Sequence, residues 1–436
     1  SGGTDRSQSD TPFVTFDGAT IAASNGSSSA TVTVTGYTVV AGDVGNIVKI
    51  TGGTNFTTGY YEIVSTGVGT WTFDRVCTTA AGSAMTGRMG GASDSLLTIV
   101  STYVAGNTIY MKGSFTHGST LTLSTSAGYT TPIRIIGYTT TRTDGGQATI
   151  TSGANSINLF GVSGTGYLIE NITVTKAGGN SSVNGFLIQN NKNALINCRG
   201  NDCTTNFDLQ GSISVVKCVS TGGTTGFNAS SSGSVTHLFC ESYNAGGSCF
   251  KSDPPAAGSM VYNYCIAVDA AIYGFHLRDN GITVLQNCTA YSGANIAFYV
   301  ESWNGQPFQT TFINCLASEN GSYGFYGIST AAANRVRTIC CASYINSGGA
   351  SQYTTNDGLI TLTADPFVTK TPGSGTGDYD LNDTAGGGAA CRALGYPSTM
   401  AYYTATTPLV NVGAGGFAAT GSTTTNVIIQ KRIRVR

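Results

Sequence analysis

The chain has 436 residues, a formal net charge of −1 and only 10% charged residues, against about 25% in an ordinary soluble domain. That balance excludes a strongly basic nucleic-acid surface and any bulk attraction to anionic membrane. No apolar run approaches the ~20 residues of a membrane-spanning helix, so no membrane insertion is expected, and 40% hydrophobic residues argue against disorder in spite of 60 glycines.

Glycine together with abundant Thr, Ser and Asn favours tight turns and strands over long helices. Length alone suggests two or three domains, although a single elongated repeat fold also reaches this size. No secretory leader is visible at Ser1, which leaves the location open from that end. The twelve cysteines lack the Cys-x-x-Cys spacing of zinc or redox sites, so no metal centre is expected.

Residues 13–90 contain short alternating strands such as SATVTVTGYTVV and YYEIVSTGVGTWTFDRV, separated by Gly-rich turns. This predicts an antiparallel β module over residues 1–90. It is followed by DSLLTIVSTYVAGNTIYMKGSFT, residues 94–116, and PIRIIGY, residues 132–138.

Cys198, Cys218, Cys240, Cys265, Cys288, Cys315 and Cys340 then form a column with spacings of 20, 22, 25, 23, 27 and 25 residues. Phe207, Phe227, Phe250, Phe275, Phe298 and Phe325 follow nine or ten residues after the cysteines. YLIENITV fits the same frame with Asn171 in the cysteine column and Phe186 in the aromatic one, so the repeat covers at least residues 168–344. Alternation of Ile196/Cys198, Val216/Cys218, Leu238/Cys240 and Ile313/Cys315 with Asn197, Lys217, Glu241 and Asn314 predicts strands. One such unit cannot bury its apolar face alone, but stacked units can. The expected fold is an all-β parallel β-helix over residues 91–390, with coils about 4.8 Å apart. Cysteines and phenylalanines then form internal ladders, with Cys acting as a small buried hydrophobe. Disulfides between adjacent coils are the alternative. Of the adjacent Cys340 and Cys341 only one can face inward; the other is a candidate exposed thiol.

Three residues after the aromatic column stand Asp253, Arg278 and Glu301 on consecutive coils, with His276, Asp279 and Trp303 close by. Asp253 and Glu301 are expected about 10 Å apart with Arg278 between them. The bland reading is a solvated ion-pair ladder. The sharper one is a glycan-binding patch, with carboxylates and Arg taking hydroxyls or uronates and Trp303 and nearby tyrosines offering a flat apolar face. A catalytic variant uses Asp253, Asp279 and Glu301, since inverting glycosidases separate their carboxyls by roughly 6.5–9.5 Å. The three histidines, His117, His237 and His276, fit no Ser-His-Asp arrangement.

Asp378, Asp380 and Asn382 in DYDLND alternate as in a calcium loop, but Asp383 stands where glycine belongs and Ala389 where the bidentate Glu belongs. No cofactor is expected beyond a loosely bound calcium ion. Residues 391–436 are read as a C-terminal β segment. In its last strand Ile429, Ile433 and Val435 alternate with Arg432, Arg434 and Arg436. That pattern suits an edge strand of the chain's own sheet, or a strand donated to a second copy in a homotrimer or filament.

The run from DSLLTIV to GSFT, together with PIRIIGY, resembles the entry into the pectate-lyase-like right-handed parallel β-helix superfamily, where a short capping helix precedes the first strand. ADPFVTKTPGSGTGDYDLNDTAGGGAACRALGYP is similar to the closing coil of such proteins. That ending, GGTDRSQSD and VGNIVKITGGTNFTTGYYEI also resemble β-helix proteins of phage and metagenomic origin. In a virion protein the N-terminal module would serve as an attachment or spacer piece. The resemblance implies a structural or adhesive spike, fibre or filament subunit, extracellular or virion-associated, with itself and extracellular polysaccharide as partners. The alternative is a secreted polysaccharide lyase or glycoside hydrolase. The calcium-binding Asp cluster and the Lys/Arg base of those lyases match no positions here.

Overall fold

The computed structural model describes residues 14–16, 21–23, 29–90, 103–140, 144–230, 233–253, 258–279, 282–293, 295–302, 309–327, 336–352, 354–369 and 378–394. The run expected to form the capping helix (residues 94–102), Trp303 and the terminal strand with Ile429, Arg432, Ile433, Arg434, Val435 and Arg436 lie outside them.

The N-terminal module is a seven-stranded sheet, in the order Val14–Phe16, Thr78–Gly90, Ile47–Phe56, Gly59–Gly67, Thr70–Phe73, Thr31–Val34 and Ile21–Ala23. Its pairings are antiparallel. Trp71, Ile63, Val48 and Met85 fill its core. The buried Asp43 carboxylate accepts from Trp71 Nε1 at 3.0 Å and from the Tyr37 hydroxyl at 2.7 Å, so that charge is held by strong donors. Glu62, also buried, joins the module to the solenoid: it meets Lys112 Nζ at 2.7 Å and accepts from the Tyr138 hydroxyl at 2.6 Å.

From Thr108 onward each coil contributes one strand to each of three parallel sheets. Among the described residues the first sheet runs from Thr108–Lys112 to Thr355–Asp357 and the second from Ser114–His117 to Ile360–Thr361, with eleven strands each. The third runs from Thr122–Leu123 to Gly349–Gln352 and has ten. The chain is thus a parallel β-helix, as the repeat predicts, and right-handed, as the resemblance implies. Its entry strands are those read from GNTIYMKGSFT and PIRIIGY.

The Phe column is one continuous internal ladder in the third sheet. Phe186, Phe207, Phe227, Phe250, Phe275, Phe298 and Phe325 are fully buried, and successive rings stack 4.5–4.9 Å apart with interplanar angles of 2–11°. In-register parallel pairing fixes this spacing, because equivalent Cα atoms sit one interstrand distance apart.

The cysteine column follows the ladder expectation over its disulfide alternative and corrects one position. All twelve cysteines are free, so there are no inter-coil disulfides. The ladder ends on Cys341, which is fully buried, and not on Cys340, which is half-buried. Cys340 occupies a left-handed corner between the first and second sheets with φ +49°, in line with Asn171, Asn197, Lys217, Phe239, Tyr264, Asn287 and Asn314, whose φ values are +52° to +59°. Asn171 therefore belongs to this corner column, and Ile172 is the residue beside Cys198.

The corner also overturns the simple alternation expected around each cysteine. A left-handed residue turns the chain, so residues three apart face inward together: Leu195 with Cys198 and Val215 with Cys218 are buried, while Ile196, Val216, Leu238 and Ile313 are only half-buried. Asparagine suits the position because its short polar side chain tolerates the left-handed region and bonds locally. Asn197 Nδ2 donates to Asn171 Oδ1 at 2.7 Å and Asn314 Nδ2 to Asn287 Oδ1 at 3.3 Å.

The segment read as a closing coil does not continue the parallel stack. Phe367–Thr369 pairs antiparallel with Asp378–Leu381, and a helix follows at Gly388–Leu394. Phe367, Leu381 and Cys391 cover the apolar outer side of the second sheet at Val268, Tyr291 and Leu316, with the Tyr291 and Phe367 rings edge to face at 5.6 Å. Within the motif read as calcium-like, Asn382 serves the backbone. Its amide donates to the Asp365 and Phe367 carbonyls, and its carbonyl accepts from the Thr384 and Gly388 N–H groups, at 2.8–3.1 Å.

Candidate functional site

The outward side of the third sheet is polar and aromatic. In a strand, a residue one or three positions after an inward one faces outward. The residues immediately after the Phe ladder are Asp208, Asn228, Lys251, His276, Tyr299 and Tyr326, in register on successive coils. Three positions after it stand Gln189, Gln210, Ser230, Asp253, Arg278 and Glu301.

The structure brings together four of the residues expected from the sequence. Arg278 sits between the two carboxylates: its Nε donates to Glu301 Oε1, and its Nη1 lies 3.6 Å from Asp253 Oδ2. Lys251 Nζ meets the same Asp253 oxygen at 3.0 Å. His276 Nε2 is 3.1 Å from Glu301 Oε1, and the Tyr299 hydroxyl donates to Glu301 Oε2 at 3.1 Å. Asp279 ends the strand Tyr273–Asp279, paired with Ser302. His117 and His237 are core residues and take no part.

Hydrogen bonding from His276, reinforced by Arg278, overcomes the effect of burial and holds the Glu301 carboxyl down at about 2. Glu301 is therefore an ionised acceptor over the whole physiological range. Burial, then the Glu301 charge, pushes the Tyr299 hydroxyl well above its ordinary range, so Tyr299 stays a neutral donor.

Three tyrosines, which the sequence reading expected only as unnamed neighbours of Trp303, and a lysine that it passed over complete the surface. Tyr273 and Tyr299 stack at 4.6 Å and 13°, Tyr299 lies 5.7 Å from Tyr326, and His276 packs against both Tyr273 and Tyr299 at 4.6 and 5.2 Å. All three tyrosines are half-exposed. The signal was present: Lys251, Tyr299 and Tyr326 each directly follow a ladder phenylalanine, a position that must face outward if the phenylalanine faces inward. Together the groups form a face with fixed acceptors, fixed donors and flat rings, which suits hydroxyl-rich ligands with an apolar side.

Solved structures that match this chain include β-helix proteins, of which one superposes over most of its length. Pectate lyase Pel9A superposes with a TM-score of 0.54 at 17% identity, covering 75% of this chain and 91% of that one. A rhamnogalacturonan lyase gives 0.47 at 13% identity over 64% and 86%. The tailspike protein gp49 of Pseudomonas phage LKA1 gives 0.21 at 9% identity over 80% and 67%. No protein-family model and no curated protein matches the chain. The fold is that of the pectate-lyase-like parallel β-helix.

Proposed function

We propose that this chain is a structural, glycan-contacting β-helix that acts outside the cell or on a virion, and that the outward side of its third sheet is the contact surface. The observation that carries this reading is the Tyr273–Tyr299 stack set against the fixed Asp253–Arg278–Glu301 ladder. Exposed rings beside charged acceptors suit one face of a sugar ring and its hydroxyls. A plain ion-pair ladder needs no exposed aromatic stack.

Binding is favoured over turnover by the state of Glu301. A carboxyl held near 2 is already ionised and is a poor proton donor, and its oxygens are occupied by His276, Arg278 and Tyr299. A glycosidase acid needs the opposite, a raised pKa. The alternation of Ile429, Ile433 and Val435 with three arginines supports assembly of copies through a donated terminal strand. Negative-stain imaging of the full chain beside one ending at Thr425 tests that part. Loss of oligomers or filaments on truncation supports it, and unchanged particles refute it.

Titration with a glycan panel tests the contact surface. Binding that is weakened in Tyr299→Ala and Glu301→Ala, without product release, is expected. Release of reducing ends or unsaturated products that stops in Glu301→Gln would establish the enzymatic alternative instead.

A further inference from the structure

The glycan reading leaves the class of saccharide open, and the charge arrangement on the third sheet narrows it. We infer, building on that reading, that the surface takes a neutral, linear saccharide laid along the helix axis and discriminates against polyuronates.

The first observation is how the cations are placed. A uronate-binding lane needs Lys or Arg groups turned toward the ligand. Here Lys251 Nζ faces Asp253 at 3.0 Å, and Arg278 bridges Asp253 and Glu301. Both cations already have carboxylate partners within the lane.

The second observation is the sign of what remains. Asp208 lies on the same outward side and is held by neutral donors: Gln210 Nε2 at 2.9 Å, Asn228 Nδ2 at 3.0 Å and the Ser230 hydroxyl at 3.2 Å. Asp208, Asp253 and Glu301 thus stand against the two permanent cations Lys251 and Arg278, and His276, the remaining titratable group on this side, is turned to Glu301 at 3.1 Å rather than toward a ligand. An added carboxylate beside one of these would meet like-charge repulsion, stronger where the site is partly shielded from water. Hydroxyl groups meet no such opposition. They can donate to the carboxylates and exchange hydrogen bonds with the side-chain amides, which pair along the axis as Gln189 Nε2 donates to Gln210 Oε1 at 3.1 Å.

The third observation is length. Polar side chains occupy one outward column on six successive coils, from Gln189 to Glu301, a run of about 24 Å at the interstrand spacing. The rings of Tyr273 and Tyr299 flank its C-terminal end. Repetition along the axis matches a polymer better than a single compact sugar.

The test is calorimetric titration of the full chain with cellohexaose, β-1,4-mannohexaose and hexagalacturonate, at about 50 mM and about 500 mM NaCl, so that charge attraction is screened in the second condition. The expected result is that a neutral hexasaccharide binds with an affinity unchanged within about twofold by salt. Hexagalacturonate should bind at least about tenfold more weakly, a difference of 1.4 kcal/mol. Tyr299→Ala should weaken the neutral ligand by up to about tenfold. Tighter binding of hexagalacturonate than of either neutral probe, weakening with salt, would overturn the inference and leave the glycan reading standing. Binding of none of the three would remove both.

Discussion

Phe298 and Tyr299 are neighbours in one strand and obey opposite rules. On the inner side of the third sheet seven phenylalanines repeat with nearly constant stacking. One position further on, facing out, the same coils carry Leu187, Asp208, Asn228, Lys251, His276, Tyr299 and Tyr326. The inner column must fill a fixed volume on every coil, so one residue type recurs. The outer column has only to tolerate water, so its chemistry is free to vary along the axis. Stability should therefore reside in the first column and recognition in the second.

The strongest way to break this division is to cut into the inner column away from the proposed contact surface. Phe207→Ala should cost about 3–5 kcal/mol, as truncation of a buried aromatic does, read by chemical denaturation, and leave saccharide affinity unchanged. A next-smaller effect comes from acid. His237 is fully buried, with both ring nitrogens lacking hydrogen-bond partners among the described residues, and stacks on Tyr262 at 4.6 Å. Burial lowers its pKa to about 4 from 6.5. The unfolded chain then binds the proton more readily, so this contribution is complete above about 6.5 and is lost as pH falls toward 4. Its full size is about 3 kcal/mol. His237→Phe should flatten that limb of the stability profile. Glu301 acts in a lower window, with its contribution lost as pH falls from 4.5 toward 2.

In the outer column the effects should be smaller on stability and larger on binding. Tyr299→Ala removes a half-exposed ring and its hydrogen bond to Glu301, so it should cost about 1–2 kcal/mol, less than Phe207→Ala. The smallest perturbation sharpens the picture at the corner column. A maleimide should modify Cys340 in the native protein, while the other eleven thiols, all buried, react only on unfolding. Rapid native labelling of Cys341, or of several thiols together, would show that the cysteine ladder is not sealed.

The architecture was legible in the sequence because both internal ladders have a fixed spacing, and stacking in register makes spacing visible as a repeat. The corner was not, because a single left-handed residue breaks the alternation on which strand reading depends. That is why Ile196 was placed with Cys198, Asn171 one column too late, and Cys340 ahead of Cys341. The Asp253–Arg278–Glu301 alignment was legible for the same reason as the fold: equal offset from the Phe column places residues on adjacent coils. Tyrosines near Trp303 were expected on this face, but Tyr273, Tyr299 and Tyr326 were not singled out although the same frame contained them, since aromatic residues in a β-rich chain read first as core. The packing of Phe367 and Leu381 on the second sheet had no local signal. It joins segments far apart in the chain, as with Tyr291 and Phe367, and such contacts leave no periodicity.

The most direct test of the division between inner and outer columns is a paired thermal melt and saccharide titration of Phe298→Leu and Tyr299→Ala. The expected result is a split between adjacent residues: Phe298→Leu lowers the melting midpoint and leaves affinity for a bound saccharide intact, while Tyr299→Ala weakens that affinity. Affinity untouched by Tyr299→Ala would contradict it and reduce the outer face to scaffold.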